Sequence, residues 1–174
     1  MSERGNEVAG GADAGRDGGE RDALLPRDTR RSLPIALLRA RESVMAHFRP
    51  MLARHDVTEQ QWRVIRVLAE AGELDASQLA ARALILAPSL TRMIRLLERR
   101  RLIATRKDTE DGRRTLIRIE PPGLALINEI APESRRIYAG LEARYGKDQI
   151  DRLLEMLDAL TRSSGPPDPD SGEA

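Results

Sequence analysis

Apolar residues recur along this chain at helical spacing, then at strand spacing, then at helical spacing again. From Leu33 to about His55, Leu37, Val44, Phe48 and Leu52 share one face, with Pro34 tolerated in a first turn and Pro50 an expected kink. Thr58 with Gln61 three residues on has the form of a capping box. Trp62, Ile65, Leu68 and Ala69 then follow at helical spacing as far as Gly72, a natural stop. After the short connecting segment GELD, residues Ser77 to Ala83 predict a brief third helix, and LILAPS breaks the pattern.

A fourth helix begins near Pro88 or Ser89. Over residues 88–101, PSLTRMIRLLERRR, the apolar Leu90, Met93, Ile94 and Leu97 form one stripe, while Ser89, Thr91, Arg92, Arg95 and Arg99 point elsewhere. Arg92, Arg95, Arg99, Arg100 and Arg101 face a single acid, Glu98. Taken alone, such a helix is a solvated basic surface. The last two arginines also suit a helix end, where the dipole favours cations.

The period then changes. LIATRK at 102–107 and TLIRIE at 115–120 are short and rich in β-branched residues, and the intervening DTEDGRR suits a turn, so a two-stranded hairpin with a charged tip is expected. Beyond Pro121 and Pro122, which fit a helix start, Leu124, Ile127, Ile130, Ile137 and Leu141 carry a long helix that Pro132 should bend and Gly146 should end. A last helix carries Ile150, Leu153, Leu154, Leu157 and Leu160 close to heptad spacing. That stripe has few partners left within the chain and predicts dimerisation.

Composition trims the 174 residues to about 130 that fold. Residues 1–31 hold six Gly and few large apolar residues, and read as a disordered arm; residues 164–174 read as a flexible tail. With no Cys there are no disulfides, no thiolate nucleophile and no sulfur-ligated metal. No metal, cofactor or catalytic residue is expected, since there is no phosphate loop, no HExxH, no Ser or Cys nucleophile setting and only two His. No 18-residue apolar run and no signal peptide are present, so a cytoplasmic protein that does not enter a membrane is expected. The net charge is only +1, and an Arg excess over two Lys reflects genome base composition as readily as chemistry.

Order changes the reading of the basic helix. A short helix, a turn, a helix with a basic outer face and then a basic hairpin is the order of a winged helix-turn-helix. Such a helix needs an apolar face to seat it and a face of donors for the major groove, where Arg pairs with guanine and Ser or Thr bond bases or phosphates. Arg113 and Arg114 at the hairpin tip would lie over the backbone or in the adjacent minor groove. The rival from a different class is a helical protein-interaction module, which would leave the wing arginines unexplained.

Residues 89–114, SLTRMIRLLERRRLIATRKDTEDGRR, resemble the recognition helix and wing of the MarR family of bacterial transcription regulators, with Asp111, Gly112 and Arg113 as the DxR wing motif. The resemblance runs from about Leu33 to Ser163. The first two helices are similar to those of the regulators of homoprotocatechuate degradation operons. What the resemblance implies is a mainly α winged helix-turn-helix domain over 32–163, with a DNA-binding lobe at about 58–120 and dimerisation helices at 33–55 and 121–163. It implies a homodimeric repressor, released from a palindromic operator by a small aromatic carboxylate, with Ser89, Thr91, Arg92 and Arg95 as helix contacts and Arg113 as the wing arginine. A regulator of another regulon, for efflux, stress or other phenolic acids, is the alternative within the family. One departure is the run Ile119, Glu120, Pro121, Pro122, Gly123 before the fifth helix, whose cap must therefore differ.

Arg41 falls on the apolar stripe of the first helix, and a charge there needs a partner. Glu42, Glu59 or bulk water would serve. The alternative is that Arg41, with Arg66 on the second helix, holds an effector carboxylate in a cleft between the dimer helices and the DNA-binding lobe. Trp62 would then be an apolar wall rather than core, and Ser43 and His47 would bond a phenolic hydroxyl. His47 and His55 equally suit ordinary surface or satisfied positions.

Overall fold

The computed structural model describes residues 32–109 and 111–163. The expected arm at 1–31 and tail at 164–174 lie outside them. The chain divides into two compact units, Met1–Val44 and Met45–Ala174. In the first, the described part is the start of helix α1 (Leu33–Arg54), where Leu33, Ile35, Leu37, Leu38 and Val44 are all exposed.

The second unit holds the end of α1, then α2 (Glu59–Ala71), β1 (Glu73–Asp75), α3 (Ala76–Ala83), α4 (Ala87–Arg99), β2 (Ile103–Lys107), β3 (Thr115–Ile119), α5 (Pro121–Tyr145) and α6 (Lys147–Ser163). Its core gathers Met51, Leu52, Val64, Ile65, Leu68, Leu79, Leu90, Leu97, Ile103, Ile117 and Ile130, all essentially closed to solvent. The stripes read on α2 and α4 supply core residues, Ile65 and Leu68 from the one and Leu90, Met93 and Leu97 from the other, whereas of the α1 stripe Phe48 and Leu52 are buried while Leu37 and Val44 are exposed. Phe48 adds an edge-on ring contact with Tyr138.

Local chemistry sets the helix limits. Thr58 accepts from the Gln61 backbone N–H at 3.2 Å while the Gln61 side chain accepts from the Thr58 N–H at 3.0 Å, closing the expected capping box. Asp75 and Gln78 repeat the device at α3, at 2.8 and 3.2 Å. At the other ends, Asp56, Leu84 and Arg101 take left-handed backbone angles, φ 54, 52 and 57°. After each, the next N–H reaches back to a carbonyl of the last turn: Val57 to Leu52, Ile85 to Ala80 and Leu102 to Leu97. None of the three is glycine.

The segment expected to be a mere connector is a strand. Leu74 in β1 lies opposite Ile117 of β3, so the hairpin becomes a three-stranded antiparallel sheet in the order β1-β3-β2. The reason is burial: Leu74 and Ile117 are both in the core, and pairing satisfies the backbone that carries Leu74 inward. Pro50 and Pro132 lie inside α1 and α5, which continue through them.

Helix α5 starts differently from a side-chain cap, as the departure at 119–123 required. Glu120 occupies the cap position without a capping side-chain bond, and Pro121 and Pro122 fill the first turn, where missing N–H groups cost nothing. Gly123 is buried so tightly that a Cβ there would overlap the Leu102 carbonyl oxygen. No residue of α6 is buried, and Leu153, Leu154 and Met156 are exposed.

Candidate nucleic-acid interface

Helices α3 and α4 form a helix-turn-helix whose inner face is apolar throughout. Leu79, Ala83, Ile85, Leu90, Met93 and Leu97 are buried. That leaves Ser89, Thr91, Arg92, Arg95 and Arg99 exposed, the face that the periodicity turned away from the core and that the order of elements offered to DNA. Among the described residues none of these three arginines has a carboxylate within ion-pair distance. Thr91 donates its hydroxyl hydrogen to the Ala87 carbonyl at 3.2 Å, so it faces outward as an acceptor. Ser89, Arg92 and Arg99 line a surface groove that also includes Thr58, Gln60 and Gln61 at the start of α2.

The other two arginines of the run, Arg100 and Arg101, serve the end of the helix. The Arg100 guanidinium donates to the backbone carbonyls of Asp56 at 2.5 Å and His55 at 3.2 Å, tying the end of α4 to the turn after α1. Arg101 supplies the left-handed residue that ends the helix. Glu98, the single acid of the helix, accepts from the Thr105 hydroxyl at 2.6 Å and its N–H at 3.2 Å, joining α4 to β2.

The wing is folded by its own aspartate. Asp111 Oδ1 accepts from the Arg113 N–H at 3.0 Å and the Asp111 carbonyl from the Arg114 N–H at 2.8 Å, so the side chain mimics one rung of a turn. Arg113 and Arg114 are exposed, and Arg114 lies 3.6 Å from Asp111. At the base of the sheet Arg106 reaches across β3 to Glu73 through two hydrogen bonds, 2.8 and 2.5 Å. The guanidinium holds the Glu73 carboxyl below its usual range, and Glu73 in turn raises Arg106.

The expected effector residues fall in both units. In the first, Arg41 is exposed and pairs with Glu42 at 2.6 Å, one of the partners the sequence offered, and Ser43 is exposed. In the second, His47 lines an open groove of about 450 Å³ with Glu133, Arg136, Ile137, Gly140, Leu141 and Arg144. Trp62 is partly buried and packs on the core, while Arg66 is exposed; neither lines that groove. His55 is largely buried at 3.6 Å from Glu129. The described residues contain no cluster of His, Asp or Glu suited to a metal, and no helix long and apolar enough to cross a membrane.

Known proteins share this arrangement. The MarR family model matches residues 55–114, from the turn after α1 to the wing tip. The homoprotocatechuate degradative operon repressor of Escherichia coli is 41% identical over 127 residues, 73% of this chain and 86% of that protein. The chain belongs to the MarR family. A second relative is the HTH-type transcriptional regulator FarR of Neisseria gonorrhoeae, 39% identical over 75% of this chain and 90% of its own length. Among solved structures, NadR in complex with 4-hydroxyphenylacetate is 37% identical with a TM-score of 0.69, covering 79% of this chain and 97% of that one. The Escherichia coli and Neisseria gonorrhoeae relatives are transcriptional regulators and not enzymes.

Proposed function

We propose that this MarR protein is a cytoplasmic homodimeric repressor of an aromatic-acid catabolic operon, released from a palindromic operator by an aromatic carboxylate. The observation that carries the DNA half is the outer face of α4, where Arg92, Arg95 and Arg99 stand exposed beside Ser89 and Thr91 with no ion-pair partner among the described residues. Arg113 and Arg114 extend that face onto the wing, over the phosphate backbone. The absence of any buried residue along α6 supports dimerisation, which would set two lobes about one DNA turn apart. The likeness to an Escherichia coli repressor of a homoprotocatechuate operon and to a protein crystallised with 4-hydroxyphenylacetate supports the effector class.

Release is a population shift: the effector must bind better to the lobe spacing that does not fit DNA. Arg41, Ser43, His47, Trp62 and Arg66 are each proposed singly as effector contacts. Arg92→Ala is expected to lose operator affinity while remaining dimeric, read by gel shift and sedimentation, and to lower the salt slope of binding by about one. Unchanged affinity removes Arg92 from the interface. Calorimetry with 4-hydroxyphenylacetate and 3,4-dihydroxyphenylacetate tests the effector half, with weaker binding expected in Arg41→Ala or Arg66→Ala. If neither compound binds or relieves repression, the assignment to this regulon fails.

A further inference from the structure

The turn between α3 and α4 has an unusual surface. Leu84 and Leu86 are 80% and 79% exposed, more than any other large apolar residue of the described chain. Leu86 is the cap residue of α4, a position normally given to Ser, Thr, Asp or Asn, and it makes no side-chain capping bond. Ala87 and Pro88 after it are also exposed, so the helix presents an apolar tip before its first polar outward residue, Ser89. The tip is held in place: the Arg63 guanidinium donates to the Leu84 carbonyl at 3.3 Å, and Ile85 between the two leucines is anchored in the core.

We infer that Leu86, supported by Leu84, is a specificity-determining residue that reads a thymine 5-methyl group in the operator. This rests on the proposal that α4 enters the major groove. A recognition helix meets base edges with its N-terminal residues, and the one apolar group those edges offer is the thymine methyl. A leucine left in water at the leading end of such a helix costs nothing to desolvate and gains on contact, whereas a Ser or Asp cap would spend its oxygen on its own helix. Continuity with Ser89 and Arg92 on the same helix selects DNA over a protein partner as the occupant. Arg92 lies six positions after Leu86, about 9 Å along the axis, so the thymine lies within about three base pairs of the position read by Arg92.

The test uses the full chain and a duplex that it enriches from a random library. Each thymine of that duplex is replaced in turn by deoxyuridine, which lacks only the methyl group, and affinities are measured at fixed salt for the wild type, Leu86→Ala and Leu86→Met. One or two replacements per half-site are expected to weaken the wild type roughly fourfold, the worth of about one buried methyl. The same replacements are expected to leave Leu86→Ala unaffected and Leu86→Met partly sensitive. An unchanged uracil profile in Leu86→Ala, or a wild type insensitive at every thymine, overturns the inference while DNA binding stands. A change in sedimentation of Leu86→Ala without a change in uracil profile also overturns it, by making the tip a protein contact. Failure of the wild type to enrich any duplex overturns the DNA reading itself.

Discussion

Leu84 sits at φ 52°, ψ 53° with most of its side chain in solvent, a combination that makes its backbone cost separable from its packing. Holding a side chain with a Cβ in the left-handed region costs roughly 1–2 kcal/mol. Full burial of a leucine is worth roughly 1.5–3 kcal/mol, so the fifth of this side chain that is covered contributes about 0.5 kcal/mol. Leu84→Ala loses the contacts and keeps the strain, and should be less stable by about 0.5 kcal/mol. Leu84→Asn loses the same contacts but tolerates the left-handed angles, so it should exceed Leu84→Ala by about 1 kcal/mol. Urea unfolding at one fixed protein concentration, which removes the mass-action effect of association, reads the difference as a shift in midpoint at constant slope. Thermal melts should separate the two variants by roughly 3–5 °C. If Leu84→Ala equals or exceeds Leu84→Asn, the left-handed turn is not where this strain resides.

The Glu73–Arg106 pair makes a pH prediction. Because Arg106 holds the Glu73 carboxyl below its ordinary range in the folded state, its stabilising contribution is present above the unfolded value and lost as pH falls through the lowered folded one. Arg106→Gln should therefore be less stable than the wild type at neutral pH, with the gap closing in acid below the usual carboxylate range, as followed by urea midpoints across pH. Gly123→Ala should destabilise by about 1–3 kcal/mol, because the added methyl meets the backbone carbonyl of Leu102, which cannot step aside; circular dichroism melts check it. Asp111→Ala removes the side chain that folds the wing turn, and is expected to weaken operator binding in gel shifts although Arg113 and Arg114 remain.

Much of this architecture was readable because local and tertiary preferences agree. Thr58 with Gln61, Gly72, the paired prolines at 121 and 122 and Gly146 all stand at helix limits, and each acts through bonds within a few residues. What escaped the reading depends on distant partners. Three residues of β1 are too few to show a period, and Leu74 is a strand residue only because Ile117 lies opposite it. Arg100 gave no sign that its acceptors are the carbonyls of Asp56 and His55, 44 and 45 positions back in sequence. A left-handed leucine at 84 is a conformation the residue disfavours, so nothing in its identity announces it. For the candidate effector residues, periodicity placed Arg41 on a stripe, named Glu42 as a partner and set Trp62 among core positions, yet it had no means of saying that His47 lines a groove that Trp62 does not reach.

Glu98 spends both of its described hydrogen bonds on Thr105, fastening α4 to β2. On the proposed DNA reading, the element for the major groove and the element for the neighbouring backbone would then keep a set separation within one lobe, like two prongs of a gauge. Where an operator half-site does not match that gauge, the accommodation falls to the duplex. Base steps that kink or unstack easily, lying between the two points of contact, then acquire an influence on affinity without being touched.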